Sequence, residues 1–390
     1  MRYLEKLLKG VEVEWKPLED VCDFKNGFAF KSSLFKENGL PIIRITNVDG
    51  KNINITDVKY FNPVDYTENT KSYEVRNGDI LIAMSGATTG KIGFYTHKNS
   101  AYLNQRVGKF LPKEEILNNR YLYHYLLSKV EEIYVISGGG AQPNLSSNAL
   151  MAKIKIPIPC PENSKKSLEI QQKIVAILDS FTGLIAELTA ELTARKQQYS
   201  YYREQLLNFD ENEVEWKTLG EVGEIKRGVA FTKKQAVFGE FPVVANASEP
   251  ISFHNEFNRN GEFIVVARSG ANAGLISYWN KELFLTDAFS IHPNDSVLNT
   301  KFAFYFLKKH QREIHLMKQG SGVPHVRASD FEIYNIPVPS LEEQERIVSI
   351  LDKFDTLTNS ISEGLPKEIA LRQKQYEYYR DLLLTFPKDN

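Results

Sequence analysis

Cysteine is nearly absent from this chain: 390 residues hold two, Cys22 and Cys160. Both fall in the first half and have no counterpart in the second. That speaks against a disulfide framework and against a zinc site, and it fits a reducing, cytoplasmic compartment. Long apolar runs are missing as well. No stretch approaches the roughly 20 residues that cross a bilayer, so no membrane association is expected. The first ten residues, MRYLEKLLKG, are charged and amphipathic, unlike a secretory signal. An excess of charge of either sign is also lacking, since the net charge is −1. This counts against a lone, strongly electrostatic binder of nucleic acid, whose affinity comes from Lys and Arg on phosphates. Either the basic residues gather on one face or another subunit supplies phosphate affinity. The seven histidines show no metal-ligand spacing. A hydrophobic content of 42% with 25% charged residues describes an ordinary globular protein with room for two or three domains.

What the chain does have is repetition. Val13-Glu14-Trp15-Lys16 returns as Val214-Glu215-Trp216-Lys217, and Ile156-Pro157-Ile158-Pro159 returns as Ile336-Pro337-Val338-Pro339. Arg195–Leu207 returns as Arg372–Leu384 with eight of 13 positions identical. The offset between the halves drifts from 201 at Trp15/Trp216 to 183 at Arg76/Arg259 and 173 at Ile174/Ile347, then returns to 177 at Arg195/Arg372. The halves therefore differ most in their globular parts and agree best in their helices. Two similar halves imply an approximate two-fold axis within one chain. Duplex DNA, itself nearly two-fold, is the leading candidate partner.

Each half reads as a mixed α/β head followed by a long helix. Asp79–Met84 and Phe263–Ala267 are apolar, β-branched runs ending in Ser-Gly, which suggests buried strands entering tight turns. Lys91–Thr96 and Leu275–Trp279 look like the returning strands. Arg120–Val135 and Lys301–Met317 have helical periodicity, and the Pro-punctuated strands Ile154–Pro161 and Ile333–Pro339 close the heads. In the first long helix Ile174, Leu178, Phe181, Ile185, Leu188, Leu192, Tyr199, Tyr202 and Leu206 follow a heptad pattern. Ser167–Phe209 would extend about 64 Å if fully helical. The second helix, Leu341–Phe386, carries four extra residues near Gly364-Leu365-Pro366, where Pro366 should kink or break it. Neither helix can bury its stripe alone. Antiparallel pairing of the two places equivalent heads at opposite ends. The expected fold class is α/β (α+β), two heads joined by two long antiparallel coiled-coil helices in a pseudo-two-fold repeat. The expected boundaries are 1–12 for N-terminal turns, 13–163 for the first head, 164–210 for the central helix, 211–339 for the second head and 340–390 for the C-terminal helix. Residues Arg2–Leu8 resemble Tyr201–Leu207, so the chain begins with the last turns of the repeat and can close the symmetry near the C-terminal helix.

At this point the residues resemble a known family. Leu168–Asp179 (LEIQQKIVAILD) and Leu341–Asp352 (LEEQERIVSILD), each after a variable head and a Pro-rich strand, resemble the specificity subunits (HsdS) of type I restriction–modification enzymes. The Ala186–Leu192 tandem and the RKQQYSYYR segment are similar to the IC-like subgroup. The resemblance covers nearly the whole chain and is most specific in the helices. It implies that each head is a target-recognition domain reading one half of a split double-stranded DNA site. It implies that the helices act as ruler and docking surface for two methyltransferase (HsdM) subunits, joined by motor–nuclease (HsdR) subunits. S-adenosylmethionine, ATP and Mg would then sit on those partners, and adenine N6 methylation would be theirs. This chain would hold no cofactor, no metal and no catalytic residue. The alternative from another class is a coiled-coil scaffold with no DNA sequence preference, which salt-dependent, sequence-selective duplex binding by the partner complex discriminates.

The motifs in the heads fit contact better than chemistry. Ser85–Lys91 (SGATTGK) evokes a P-loop, but Gly86 to Gly90 is one residue short, Ile92 stands where Ser or Thr must meet magnesium, and the second copy, Ser269–Leu275, lacks the Lys. A strand–turn–strand loop near DNA suits Ser85, Thr88, Thr89, Lys91, Ser269 and Asn272. Glu14-Trp15-Lys16 and its repeat match the tail of a nuclease pattern without the upstream Asp, and packing of the Trp explains them better. A basic, Gly-hinged loop carries Lys25, Asn26 and Lys31, matched by Lys226, Arg227, Lys233 and Lys234, and suits phosphate contact. The polar loops after the head helices offer Gln142, Asn144, His325 and Arg327 as groove readers, because Asn or Gln pairs with adenine and Arg with guanine. Arg44, Thr46, Asn47, Asn104, Gln105 and Arg106 in the first head, with Asn246 and Arg268 in the second, complete the DNA-facing candidates. Tyr199, Tyr201, Tyr202, Tyr376, Tyr378 and Tyr379 form coiled-coil seam and rim, and the outward ones are candidate anchors for the methyltransferase.

Overall fold

Two sequence signatures that lie about 140 residues apart in the first half and about 120 in the second form one element in each. Val13–Pro17 pairs antiparallel with Lys155–Pro159, setting Trp15 opposite Pro157. Glu215–Thr218 pairs with Asn335–Val338, setting Trp216 opposite Pro337. A two-stranded ribbon tolerates the prolines because its outer edges need no N–H donors. The tryptophan rings pack on the head helices, Trp15 6.5 Å from Tyr125 and Trp216 6.0 Å from Phe306. The Glu-Trp-Lys motif thus clasps the two ends of each head together.

The computed structural model describes residues 8–140, 143–231, 237, 239–247, 249–319 and 323–386. They divide into two compact units, Met1–Glu187 with Ile369–Asn390, and Leu188–Glu368. The main sheet of the first unit runs Cys22–Asn26, Val107–Pro112, Ile80–Ala83, Ile92–Phe94. That of the second runs Gly223–Arg227, Ala288–Pro293, Glu262–Ala267, Ile276–Asn280 in the same order. All neighbours within both sheets are antiparallel. A second, smaller sheet stands beside each. It has four strands in the first unit (Lys59–Phe61, Leu40–Ile43, Ala101–Leu103, Glu74–Val75) and three in the second (Ser252–His254, Phe241–Val244, Phe284–Leu285).

The helices expected over Arg120–Val135 and Lys301–Met317 each split in two: Asn119–Ser128 with Val130–Ile136, and Thr300–Lys309 with Gln311–Leu316. The joints, Lys129 and His310, leave helical geometry at φ/ψ of −109/7° and −88/14°. Each short second helix lies against a turn glycine. A Cβ on Gly90 (φ +84°) would stand 3.4 Å from Ile133, and one on Gly274 (φ +81°) 3.2 Å from Ile314. These glycines serve the left-handed turn and the close packing of the following helix.

The central helix is 43 residues long, Ser164–Leu206. In the first unit it buries Ile170, Ile174, Val175 and Leu178 in the head core, and Phe181 stacks on Tyr379 of Gly364–Thr385. In the second unit its last turns place Tyr199 and Tyr202 on Phe354 of Leu341–Asn359. Within the first unit the central helix thus packs on Gly364–Thr385, and within the second on Leu341–Asn359. The C-terminal segment is two helices, Leu341–Asn359 and Gly364–Thr385, not one kinked helix. The break falls before Gly364, whose φ is +70° and whose Cβ would meet the Thr356 carbonyl oxygen at 2.4 Å. Pro366 sits in the first turn of the new helix, where its missing N–H costs nothing. Arg2–Leu7, which carry most of the resemblance to Tyr201–Leu207, lie outside the described residues. Leu8 and Val11 pack on the same cluster as Leu383 and Leu384.

Two polar contacts recur where helix meets head. Gln171 and Gln344 are fully buried. Gln171 Oε1 accepts from Asn118 N at 2.8 Å and Gln344 Oε1 from Asn299 N at 2.7 Å. Their amides donate to Ile116 O at 2.9 Å and Val297 O at 3.0 Å. Each therefore ties the turn that starts a head helix, whose N-cap is Asn118 or Asn299. Eight residues on, Asp179 accepts from Arg120 and from His124 Nε2, and Asp352 accepts from Lys301 Nζ and Tyr305 Oη, both at 2.6 Å.

Candidate nucleic-acid interface

The outer ends of the main-sheet strands in the second head surround a cleft of about 570 Å³. Arg227 ends one strand, Arg268 follows another, Asp287 precedes a third, and His325 and Arg327 come from the loop before the helix Ala328–Glu332. Among the described residues, no ion pair or side-chain hydrogen bond engages the guanidinium groups of Arg227, Arg268 or Arg327. Three guanidinium groups without a direct partner among the described residues, against the single carboxylate of Asp287, leave the concavity net positive and suit an anionic or acceptor-rich ligand. Four candidates from the sequence, Arg227, Arg268, His325 and Arg327, are thus brought together.

Behind them Asn246 is a hub. Its Oδ1 accepts from the backbone N–H groups of Arg268 (3.0 Å) and Ser269 (3.1 Å), and its Nδ2 donates to Ser269 Oγ and Asp287 Oδ2. Asn272 Nδ2 donates to the Asn246 carbonyl at 2.9 Å. Asn246, Ser269 and Asn272 position the loop. Lys226 lies outside the cleft lining and pairs with Glu224 at 2.8 Å. Beneath the strand, buried Arg259 donates to the carbonyls of Lys226 and Arg227 at 3.2 and 2.7 Å, bracing the strand end. Lys233, Lys234 and Gln142 lie outside the described residues.

The first head builds the same frame with different tips. Met84 O accepts from Leu145 N at 2.7 Å as Arg268 O does from Val326 N at 2.9 Å. Gly27 N donates to Val107 O at 3.1 Å as Gly228 N does to Ala288 O at 2.8 Å. Ser85 bridges Asn144 as Ser269 bridges His325. Where the second head has Arg227, Arg268, Asp287, His325 and Arg327, the first has Asn26, Met84, Arg106, Asn144 and Ser146. Gln105, Arg106 and Asn144 are exposed there, and Asn104 accepts from Arg106 N. Asn26 donates to Ser147 Oγ at 3.3 Å. Lys25 sits 4.5 Å over the Tyr73 ring. Lys31 and Thr46 are exposed, and Lys91 is half-buried. Arg44 Nε and Ser85 Oγ are buried without a partner among the described residues.

Three candidates are spent inside the fold. Asn47 is buried, donating to Asn54 O and Asp57 O and accepting from Arg44 N. Thr88 Oγ1 donates to Ile45 O, and Thr89 Oγ1 to Gly86 O and Pro143 O. The amides of Gly86, Thr89, Gly90 and Lys91 are likewise satisfied by the Pro143, Gly86, Ala83 and Thr88 carbonyls, so most of the loop's N–H groups close a turn and are not turned to a phosphate. Asp287 is the residue that sequence reasoning missed. An acid is not sought in a basic site, although its place between two apolar strands was a signal.

On the helices, Tyr376 is buried and donates its hydroxyl to His124 Nδ1, while Tyr199, Tyr202 and Tyr379 stack in the seams. Tyr201 and Tyr378, equivalent in the repeat, are 61% and 60% exposed and point outward. Among the described residues no helix is long and apolar enough to cross a membrane.

The family model "Type I restriction modification DNA specificity domain" matches residues 10–195 and again 211–371. The chain is 36% identical to the EcoR124I/EcoR124II specificity subunit of Escherichia coli over 100% of this chain and 98% of that one. It is 33% identical to a putative type I restriction enzyme specificity subunit of Haemophilus influenzae, with 98% of each covered. The crystal structure of a type I restriction–modification S subunit from M. genitalium shares the fold at a TM-score of 0.65 and 19% identity, covering 98% of both chains. With a matching frame in each half and full-length relatives above 30% identity, this chain belongs to the type I restriction–modification DNA specificity family.

Proposed function

We propose that this chain is the address-giving, non-catalytic subunit of a type I restriction–modification complex. Each head reads one half of a bipartite duplex site, and the paired helices set the unread spacer. Two methyltransferase subunits dock on the helices with Tyr201 and Tyr378 as anchors, and motor–nuclease subunits join them. The partners bind S-adenosylmethionine, ATP and Mg and methylate adenine N6, which requires the base to be flipped out. The complex works in the cytoplasm. The observation that carries the reading is one strand frame built twice with different side chains at equivalent tips, which suits two half-sites of different sequence. The arginine cleft also answers the near-zero net charge, since its cations are concentrated and not numerous. Co-expression with the cognate methyltransferase and genome-wide mapping of N6-methyladenine should give two short, dissimilar half-sites at fixed separation. Methylation at no defined motif by an assembled complex would favour the scaffold.

The ruler has its own expected outcome. Duplicating Thr189-Ala190-Glu191-Leu192 adds four residues, about 6 Å of helix. The mapped spacer should lengthen by about one to two base pairs of 3.4 Å each, with both half-sites unchanged. A spacer that keeps its length sinks the ruler role.

A further inference from the structure

Arg268 and Asp287 flank one register pair. Ala267 faces Ala288 across antiparallel strands, and the two charged residues are the next ones out on either side. Yet no ion pair joins them among the described residues. Asn246 Nδ2 and Ser269 Oγ hold Asp287 Oδ2, while Asn246 Oδ1 holds the Arg268 backbone. Asp287 Oδ1 has no partner among the described residues, and the residue is held at φ +40°, a left-handed conformation that non-glycine residues adopt at a cost.

A carboxylate in the middle of a phosphate clamp would repel its ligand. Beside arginine it has a use if the ligand offers acceptors and a donor side by side. A G·C pair does so in the major groove, through guanine N7 and O6 and the cytosine N4 amino group. We propose, resting on the DNA-recognition reading, that the second head specifies a G·C pair with Arg268 on guanine and Asp287 Oδ1 on the paired cytosine. Asn246 is the positioning residue. The first head, with Met84 and Arg106 at the same two places, lacks this acceptor and makes no such reading.

The test uses the full chain assembled with its methyltransferase subunits. Binding is measured on duplexes randomised across the second half-site, with the first half-site fixed. Asp287→Asn and Arg268→Met should each lose discrimination at one and the same G·C step, on the order of 10- to 100-fold. Preference at the other steps and at the first half-site should be retained. Uniform weakening on all sequences, loss across the whole second half-site, or no change at a G·C step overturns the proposal and leaves the bipartite reading standing. A wild-type complex without any split-site preference overturns both.

Discussion

Replacing Gln344 by leucine is expected to destabilise the second unit by about 3–5 kcal/mol. The side chain is fully buried, and its loss strands the Asn299 N–H and the carbonyls of Val297 and Pro339. Each buried group left without a partner costs about 1–3 kcal/mol, and leucine can satisfy none of them. Gln344→Glu keeps the acceptor but loses the donor, so it should fall between leucine and wild type. Gln171→Leu should do the same to the first unit, through Asn118 N and Ile116 O. Denaturation followed by tryptophan fluorescence separates the two, because Trp15 reports the first unit and Trp216 and Trp279 the second. A shift below about 1 kcal/mol for leucine would mean that water replaces the amide and the contact is not structural. In the assembled complex, the Gln344 variant should lose its second half-site before its first.

The long helices could be read from the sequence because a heptad is local: Ile174, Leu178 and Phe181 announce themselves within two turns. The apolar strands Ile80–Ala83 and Glu262–Ala267 were legible for the same reason. The clasp between Glu-Trp-Lys and Ile-Pro-x-Pro was not. Both motifs stood out as repeats, but partners separated by a whole head leave no local trace of their pairing. Nor was the second sheet of the first head, whose short strands are held by rings from distant segments. Phe30, for example, lies 4.4 Å from Phe61 and 5.5 Å from Tyr66. The helix breaks at Lys129 and His310 answer to turn glycines some 35 to 40 residues upstream, Gly90 and Gly274, which periodicity cannot sense.

Residue type at a repeated position singled out Arg227, Arg268, His325 and Arg327, which the structure gathers at one cleft, because guanidinium and imidazole groups at strand ends have few internal uses. It also singled out Asn47, Thr88 and Thr89, whose side chains bond within the fold. Short polar side chains bond their own loops as readily as a ligand, and only the traced hydrogen bonds decide between the two. Asp287 shows the converse. Its proposed role depends on Asn246 and Ser269, which hold Oδ2 and leave Oδ1 without a partner among the described residues, an arrangement that three distant segments create together.

Asp179→Ala is the second large effect expected, about 2–3 kcal/mol in the first unit, with a distinct pH signature. Burial would raise this carboxyl, but hydrogen bonds from His124 and Arg120 outweigh it and hold it at about 2, against an ordinary 3.8. It is therefore ionised and accepts only, so His124 Nε2 carries the proton and Nδ1 accepts from the Tyr376 hydroxyl. Burial keeps His124 below its usual 6.5, opposed by the hydrogen bond to Asp179. The unfolded chain thus binds a proton at His124 before the folded chain does, and stability falls as pH drops below about 6.5. Asp179 adds a further loss as pH falls from 3.8 toward 2. Alanine at 179 strands a buried imidazole N–H, at about 1–3 kcal/mol, and loses a partly exposed pair with Arg120 worth about 1 kcal/mol or less. It also removes the group that raises the His124 pKa, so the stability lost between pH 7 and pH 5 should be greater than in wild type. Asparagine at 179 can still accept from Nε2 and should recover much of the loss at pH 7. Unfolding free energies at pH 7 and pH 5 for the three proteins decide the matter: parallel pH dependence in wild type and Asp179→Ala would show that the aspartate does not govern His124.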